Sequence, residues 1–112
     1  MAGWFELAKA SDGQFKFVLK AGNGEVILVS ELYTGHAGAA NGIASVQKNA
    51  ADPARYEVKL ASNGKHHFNL KAANHQVIGS SQLYATEAGC RAGMASVQAN
   101  GSSTTIKDLT QG

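Results

Sequence analysis

The sequence predicts an α+β fold built from two tandem copies of one unit. The main observation is an internal repeat, because a shift of 51 residues places residues 4–49 on residues 55–100 without a gap and matches nearly half of the positions. In addition, the spacing of apolar residues in each copy changes from a period of two to a helical period, and turn residues separate the periodic segments. Each copy is therefore predicted to contain three strands followed by one helix, with the strands in one antiparallel sheet.

The three predicted strands of the first copy precede its helix. "WFELAKA" has strand-like composition, "QFKFVLKA" alternates apolar with polar residues, and "EVILVS" is strongly apolar. The turn signals "SDG" and "NG" separate these segments. Phe17 and Leu19 share one face of the second strand and Lys16 and Lys20 the other, so the first face is predicted to meet the core.

The register of the third strand has two solutions. A two-residue Asn23–Gly24 turn directs Val26 and Leu28 inward, whereas a three-residue turn pairs Lys20 with Val26 and directs Ile27 and Val29 inward. We favour the three-residue turn because it needs a positive φ at only one position, which is His75 in the second copy. Either solution gives apolar residues on both faces, which is typical of a strand inside the sheet.

The helices follow the third strand of each copy. The apolar stripe of the first is Ala39, Ile43, Val46 and Ala50, and that of the second is Cys90, Met94, Val97 and Gly101. Asp52–Pro53 ends the first helix and begins the second copy. The repeats are predicted at about residues 4–51 and 55–110 of a single domain, residues 1–112, and "TTIKDLT" is a candidate final strand.

The composition favours a small cytoplasmic protein. The formal charge is +2, no apolar run is long enough to span a bilayer, and the N-terminus "MAGWFELAKASDG" lacks a signal-peptide pattern. Cys90 is the only cysteine, so no internal disulfide can form and a reducing compartment is expected. The mild charge permits an acidic partner or nucleic acid without favouring either.

The repeated pattern "LKAxNxxVIxxSxLY…GxxxGxASVQxN" resembles the YegP-like family of small bacterial proteins, a domain of unknown function often found in tandem. The resemblance extends from Trp4 to about Thr110 and implies a β(3)-α-β unit repeated in one sheet, with C-terminal strands exchanged between repeats. "TTIKDLT" would be one such strand, and its counterpart in the first copy would run into "ARYEVKL". Tandem members resemble a fused dimer, so a monomer is expected, and the family offers no catalytic residues to transfer.

A candidate binding surface is the outer sheet face, which carries basic residues and one tryptophan. Strand parity assigns to it Trp4, Lys16, Lys20, Arg55, Lys59, His67 and Lys71. An aromatic residue among cations on a sheet is typical of single-strand nucleic-acid modules. A solvated antiparallel face has the same composition by default, and it is the favoured interpretation.

A second candidate surface is the stripe of small residues on the first helix, Gly38, Gly42, Ser45 and Asn49. Glycine inside a helix costs about 1 kcal/mol relative to alanine, so its repetition indicates a close approach or, less favoured, a docking groove. No histidine set suggests a metal site, Cys90 lies on an apolar stripe without a base, and no cofactor is predicted. The leading hypothesis is a non-enzymatic binding module with an unknown partner. A nucleic-acid-binding protein and an enzyme without a recognisable motif are the alternatives.

Overall fold

A computed structural model describes residues 3–110, in which seven strands form one sheet and two helices pack on its inner face. The elements are β1 (Trp4–Lys9), β2 (Phe15–Lys20), β3 (Val26–Ser30), α1 (His36–Asn49), β4 (Tyr56–Leu60), β5 (His66–Lys71), β6 (Val77–Ser80), α2 (Glu87–Asn100) and β7 (Ile106–Asp108). A 3-10 turn over Pro53–Arg55 joins the copies. The predicted α+β fold and tandem β(3)-α arrangement are confirmed.

The strand order is β4-β5-β6-β3-β2-β1-β7, and β7 makes the sheet mixed rather than wholly antiparallel. β7 follows the helix of the second copy but pairs in parallel with β1 of the first, so it is the exchanged strand. Within residues 3–110 this exchange occurs once. The counterpart segment, residues 55–57, continues into β4 and pairs with β5 instead.

The two copies meet at the centre of the sheet, where β3 and β6 run antiparallel. Val29 pairs with Ser80, which is its own equivalent in the second copy, so the pseudo-twofold axis passes through this pair. A Cβ on Gly79 would lie 2.8 Å from the carbonyl oxygen of Val29 and 3.1 Å from Cγ of Leu28. Leu28 and Gly79 therefore differ between the copies because only one large side chain fits beside the axis.

The third strand is interior, as predicted, but its inward residues differ from the prediction. Gly24 and His75 have positive φ values of 86° and 70°, and Lys20 pairs with Val26, as expected for the three-residue turn. The register then shifts between Lys20 and Leu19, which is the signature of a β-bulge. The extra residue restores Leu28 to the inner face, and Val29, predicted to point inward, is 37% exposed opposite Val18 on the outer face.

The core lies between the inner sheet face and the helices. Its largest fully buried side chains are Phe5, Leu7, Phe17, Leu19, Leu28, Ile43, Val46, Phe68, Leu70, Cys90 and Val97. The predicted apolar stripes of both helices face this core, although Met94 is only partly buried. Among residues 3–110, no helix has the length and apolar content required to cross a membrane.

The glycines of the helices lie against a tyrosine ring and not against the other helix. Tyr33 follows β3, bridges to Phe15 and stacks on Phe17 with ring centroids 6.3 Å apart. A Cβ on Gly42 would lie 2.8 Å from Cε2 of Phe17 and 2.9 Å from Cζ of Tyr33. In the second copy, Gly93 and Tyr84 repeat this contact. Close approach therefore explains Gly42 and Gly93.

Besides its backbone bonds, β7 is held to the body by side-chain contacts, one of which reaches α1. The carboxylate of Asp108 lies 2.8 Å from Nε2 of His36 at the start of α1. The hydrogen bond from the Thr110 hydroxyl, followed by the one with His36, lowers the pKa of Asp108 to about 2. The anchor therefore depends on an ionised carboxylate.

We predict opposite effects of alanine at two glycines of α1. Gly42→Ala should lower the free energy of unfolding by about 1–3 kcal/mol because the new methyl group overlaps the buried ring of Phe17 and the partly buried ring of Tyr33. Gly38→Ala should raise it by up to about 1 kcal/mol, since its nearest contact, Cδ1 of Tyr33, lies 3.4 Å away and alanine favours the helix. Denaturant unfolding measures both values, and equal effects would contradict the tyrosine contact.

We also predict that β7 loosens in acid. The folded-state pKa of Asp108 lies below the value of about 3.9 for a free aspartate, so the stabilisation is present above that pH and is lost as the pH falls toward 2. The amide signals of Phe5, which donates to Thr105, and Leu109, which donates to Leu7, should shift over this range in NMR spectra. Asp108→Asn should remove this pH dependence, and an unchanged titration in that variant would refute the assignment.

Candidate functional site

The outer face of the sheet holds the sequence-predicted basic residues in two separate groups. Trp4, Lys16 and Lys20 lie on β1 and β2, whereas Lys59, His67 and Lys71 lie on β4 and β5. β6 and β3 separate the groups, so β2 and β5 are about 14 Å apart. Arg55 ends the 3-10 turn, 3.7 Å from the carboxylate of Asp52, rather than extending the second group.

Three of these cations pair with a glutamate that occurs in both copies, and Lys59 lies 3.7 Å from Glu57. Lys20 lies 3.1 Å from Glu6, and Lys71 lies 2.9 Å from Glu57. Hydrogen bonds from Trp4 and Lys20 lower the pKa of Glu6, and the bond from Lys71 does the same for Glu57. Both carboxylates are therefore ionised partners of these lysines at neutral pH.

The side chain of Trp4 also interacts with its neighbours. Its indole Nε1 donates to Glu6 at 2.8 Å, and Nζ of Lys107 lies 4.5 Å from the ring centroid. A base stacking on this ring would have to displace the lysine. The arrangement on the outer face is thus a set of internal polar contacts rather than an open stacking platform.

The serines that match between the copies have a structural role. Oγ of Ser30 accepts the backbone N–H of Phe17 at 2.8 Å and donates to the carbonyl of Glu31 at 2.7 Å. Ser81 makes the same two bonds with Phe68 and Gln82. Each hydroxyl therefore links the second strand of its copy to the chain at the end of the third strand.

In the part of the chain that the structure describes, the histidines and the cysteine form neither a metal-binding cluster nor an activated nucleophile. Residues 3–110 contain no group of three or more metal-ligating side chains. Cys90 is fully buried, and burial raises the pKa of its thiol. A thiol in this setting packs as a small apolar group and is not activated for attack.

A groove lies beside α1. This α1 groove has a volume of about 560 Å³ and is lined by Glu31, Tyr33, Gly38, Asn41, Gly42, Ser45, Ala72, Gln76, Val77 and Ile78. Residues 31–45 come from the first copy and residues 72–78 from the second, so the groove lies at the junction of the repeats. Ligand pockets often occur at such junctions.

The groove combines an apolar floor with a polar rim. Tyr33 lies against the glycine stripe, and burial, followed by the charge of Glu31, raises the pKa of its phenol. The phenol therefore stays protonated and can donate a hydrogen bond. Glu31 and the amide of Gln76 are exposed at the rim and supply a carboxylate and an amide.

The equivalent positions around α2 show which parts of the groove serve the fold. Seven of the ten lining positions have the same residue in the other copy, and the three that differ are Glu31/Gln82, Asn41/Ala92 and Gln76/Glu25. All three differences lie in the polar lining. Glutamate and glutamine exchange places, so each set keeps one carboxylate, and the set around α1 has the additional amide of Asn41.

Sequence reasoning located one wall of the groove and missed the other. Gly38, Gly42 and Ser45 line it, as the docking interpretation of the glycine stripe required. Asn49 instead is buried and donates to the carbonyl of Ser45 at 2.8 Å. Residues 72–78 carry no sequence signal for this role because they are far from α1 in the chain. The ring that covers the glycines could have been predicted from the repeat, because Tyr33 and Tyr84 match between the copies.

We predict that Ser30 supports the fold more strongly than Ser81. Ser30→Ala should lower the free energy of unfolding by about 1–3 kcal/mol because it leaves the N–H of Phe17 buried without an acceptor. Ser81→Ala is the matched control and should cost less, because its bond to Phe68 is only partly buried. A larger loss in Ser81→Ala, measured by denaturant unfolding, would contradict this ranking.

Comparisons with known proteins agree with the tandem architecture. A family model described as a domain of unknown function, DUF1508, matches residues 10–57 and again residues 61–108. The UPF0339 protein YegP of Shigella flexneri is 67% identical over 110 residues, which cover 98% of this chain and 100% of that protein. A UPF0339 protein of Acinetobacter baylyi is 63% identical and covers 98% of this chain and 99% of its own length.

Solved structures of similar proteins have the same fold. The solution NMR structure of yegP from Escherichia coli, a protein of unknown function, superposes with a TM-score of 0.94 at 65% identity, over 100% of this chain and 97% of that chain. The solution NMR structure of a UPF0339 protein from Shewanella oneidensis gives a TM-score of 0.93 at 64% identity, over 98% and 93% of the two chains.

Proposed function

Since the chain belongs to the DUF1508 family of YegP-like bacterial proteins, we propose that it is a non-enzymatic binding module of the bacterial cytoplasm. The single observation that carries the proposal is the α1 groove at the junction of the two repeats. The folded unit is the monomer, because the sheet pairing that would join two single copies is made within one chain through β3 and β6.

The ligand class follows from the groove lining. The floor of Ala72, Val77 and Ile78 accepts an apolar group, and Glu31 offers a carboxylate at the rim. A ligand with an apolar body and a positively charged or hydrogen-bond-donating group matches both features.

The outer sheet face is the weaker alternative. Binding single-stranded nucleic acid there would require Lys20 and Lys71 to leave Glu6 and Glu57. The cost of breaking such half-exposed pairs is small, but the glutamates would remain beside the phosphates and repel them. The groove needs no such rearrangement, so it is favoured over the outer face.

We predict that a bulky side chain in the groove abolishes ligand capture. Asn41→Trp places a ring in the lining, whereas Ala40→Trp, at an exposed neighbouring position outside the lining, is the matched control. The wild-type protein and both variants should be used for affinity capture from bacterial lysate, with and without nuclease. The expected result is a ligand or partner retained by wild type and Ala40→Trp and lost with Asn41→Trp.

Two results would overturn the assignment. Capture that is equal for both tryptophan variants would remove the groove from the proposal. Capture that is lost after nuclease treatment and weakened by Lys20→Glu with Lys71→Glu would instead assign nucleic acid to the outer face.

A further inference from the structure

The outer edge of β1 is an occupied strand site. β7 runs parallel to β1 and pairs Phe5 with Ile106 and Leu7 with Asp108. The N–H of Phe5 donates to the carbonyl of Thr105 at 2.9 Å, and the carbonyl of Leu7 accepts the N–H of Leu109 at 2.7 Å. The backbone groups of Phe5 and Leu7 thus point toward β7.

The pseudo-twofold axis relates this site to the outer edge of β4, where the described residues 3–110 place no strand. Tyr56 and Val58 are the equivalents of Phe5 and Leu7, so their backbone N–H and C=O groups point away from β5. The side chains show the consequence. Leu7 is 2% exposed beneath β7, whereas Val58 is 39% exposed and Leu60 is 68% exposed.

An open edge with exposed apolar side chains is an unusual feature for a native sheet. Edge strands are normally protected by charged residues that discourage pairing. In the second copy the apolar residue and the lysine at the end of the strand exchange places, because Leu60 stands where β1 has Lys9 and Lys59 where it has Ala8. The edge of β4 therefore has the backbone groups and apolar surface needed to add a strand.

We propose that the β4 edge binds an extended segment of a partner protein, parallel to β4, with an apolar residue opposite Tyr56 and a lysine or arginine opposite Val58. The occupied site on β1 defines the direction and the register. Ile106 supplies the apolar residue there, and Asp108, two positions later, reaches His36.

The strand on β1 has an aspartate where the strand on β4 is expected to have a cation. This difference comes from one substitution between the copies. The equivalent of His36, the partner of Asp108, is Glu87. A carboxylate at this position repels an aspartate and attracts a cation in the added strand. Glu87 lies 3.4 Å from Arg91 on its own helix, and both side chains are more than half exposed, so this pair is easily replaced.

The same charge disfavours a second copy of this chain as the occupant. Its β7 would bring Asp108 against Glu87, and β7 is already paired with β1 of its own chain. A segment of different sequence avoids both conflicts. The surface is separate from the α1 groove, so it does not depend on the function proposed above.

The test uses two synthetic peptides that correspond to residues 103–110 of the chain. "STTIKDLT" is the native segment, and "STTIKKLT" replaces Asp108 by lysine. Fluorescence anisotropy of labelled peptides with the full-length protein should show that the lysine peptide binds about fivefold more tightly, the scale of an exposed charge pair. The amide signals of Tyr56 and Val58 should shift in NMR spectra when it binds.

Three variants separate the proposal from its competitors. Glu87→His should reverse the preference, so that "STTIKDLT" binds more tightly. Val58→Pro removes one outward N–H at an edge position that tolerates proline, and it should weaken both peptides. Asn41→Trp, which fills the α1 groove, should leave peptide binding unchanged. Amide spectra show whether each variant keeps its fold.

Several results would overturn the proposal. Equal affinity for both peptides in wild type, signal shifts away from β4, or no binding of either peptide at millimolar concentration would each do so. A concentration-dependent dimer of the wild-type chain that Val58→Pro abolishes, without peptide binding, would assign the edge to a second copy.

Discussion

The pairing of β3 with β6 is the constraint on which the rest of the structure depends. Val29 lies opposite Ser80 on the pseudo-twofold axis, and Leu28 fills the space that Gly79 leaves open. This contact joins two small sheets, neither of which could bury its helix alone, into one sheet with a shared core. The α1 groove exists because this junction brings a helix of the first copy beside a hairpin of the second.

Most residues that match between the copies are explained by the fold. Tyr33 with Gly42, the hydroxyl of Ser30, and the pair of Lys20 with Glu6 all recur in the second copy with the same contacts. The groove rim and the surroundings of β4 differ instead. The two copies have equivalent elements, but the exchanged strand β7 pairs with only one of their two outer edges, that of β1.

The sequence-based prediction was accurate for elements and limited for surfaces. Periodicity and the repeat identified every strand and both helices, and the motifs indicated the YegP-like family, which the comparisons confirm. Strand parity assigned Lys16 and Lys59 to one face, but it contains no information on strand order, which places them in opposite halves of the sheet. The wall formed by residues 72–78 was missed for the same reason.

The sequence by itself determined the repeat, the elements of each copy and the apolar faces of the helices, and it favoured the three-residue turns, because these follow from local periodicity and backbone preference. The bulge that directs Leu28 inward, the parallel addition of β7 to β1 and the open edge of β4 were decided only by the tertiary structure. They depend on competition for space and backbone partners between segments far apart in the chain. One chain has two equivalent edges and one spare strand, and only packing determines which edge receives it.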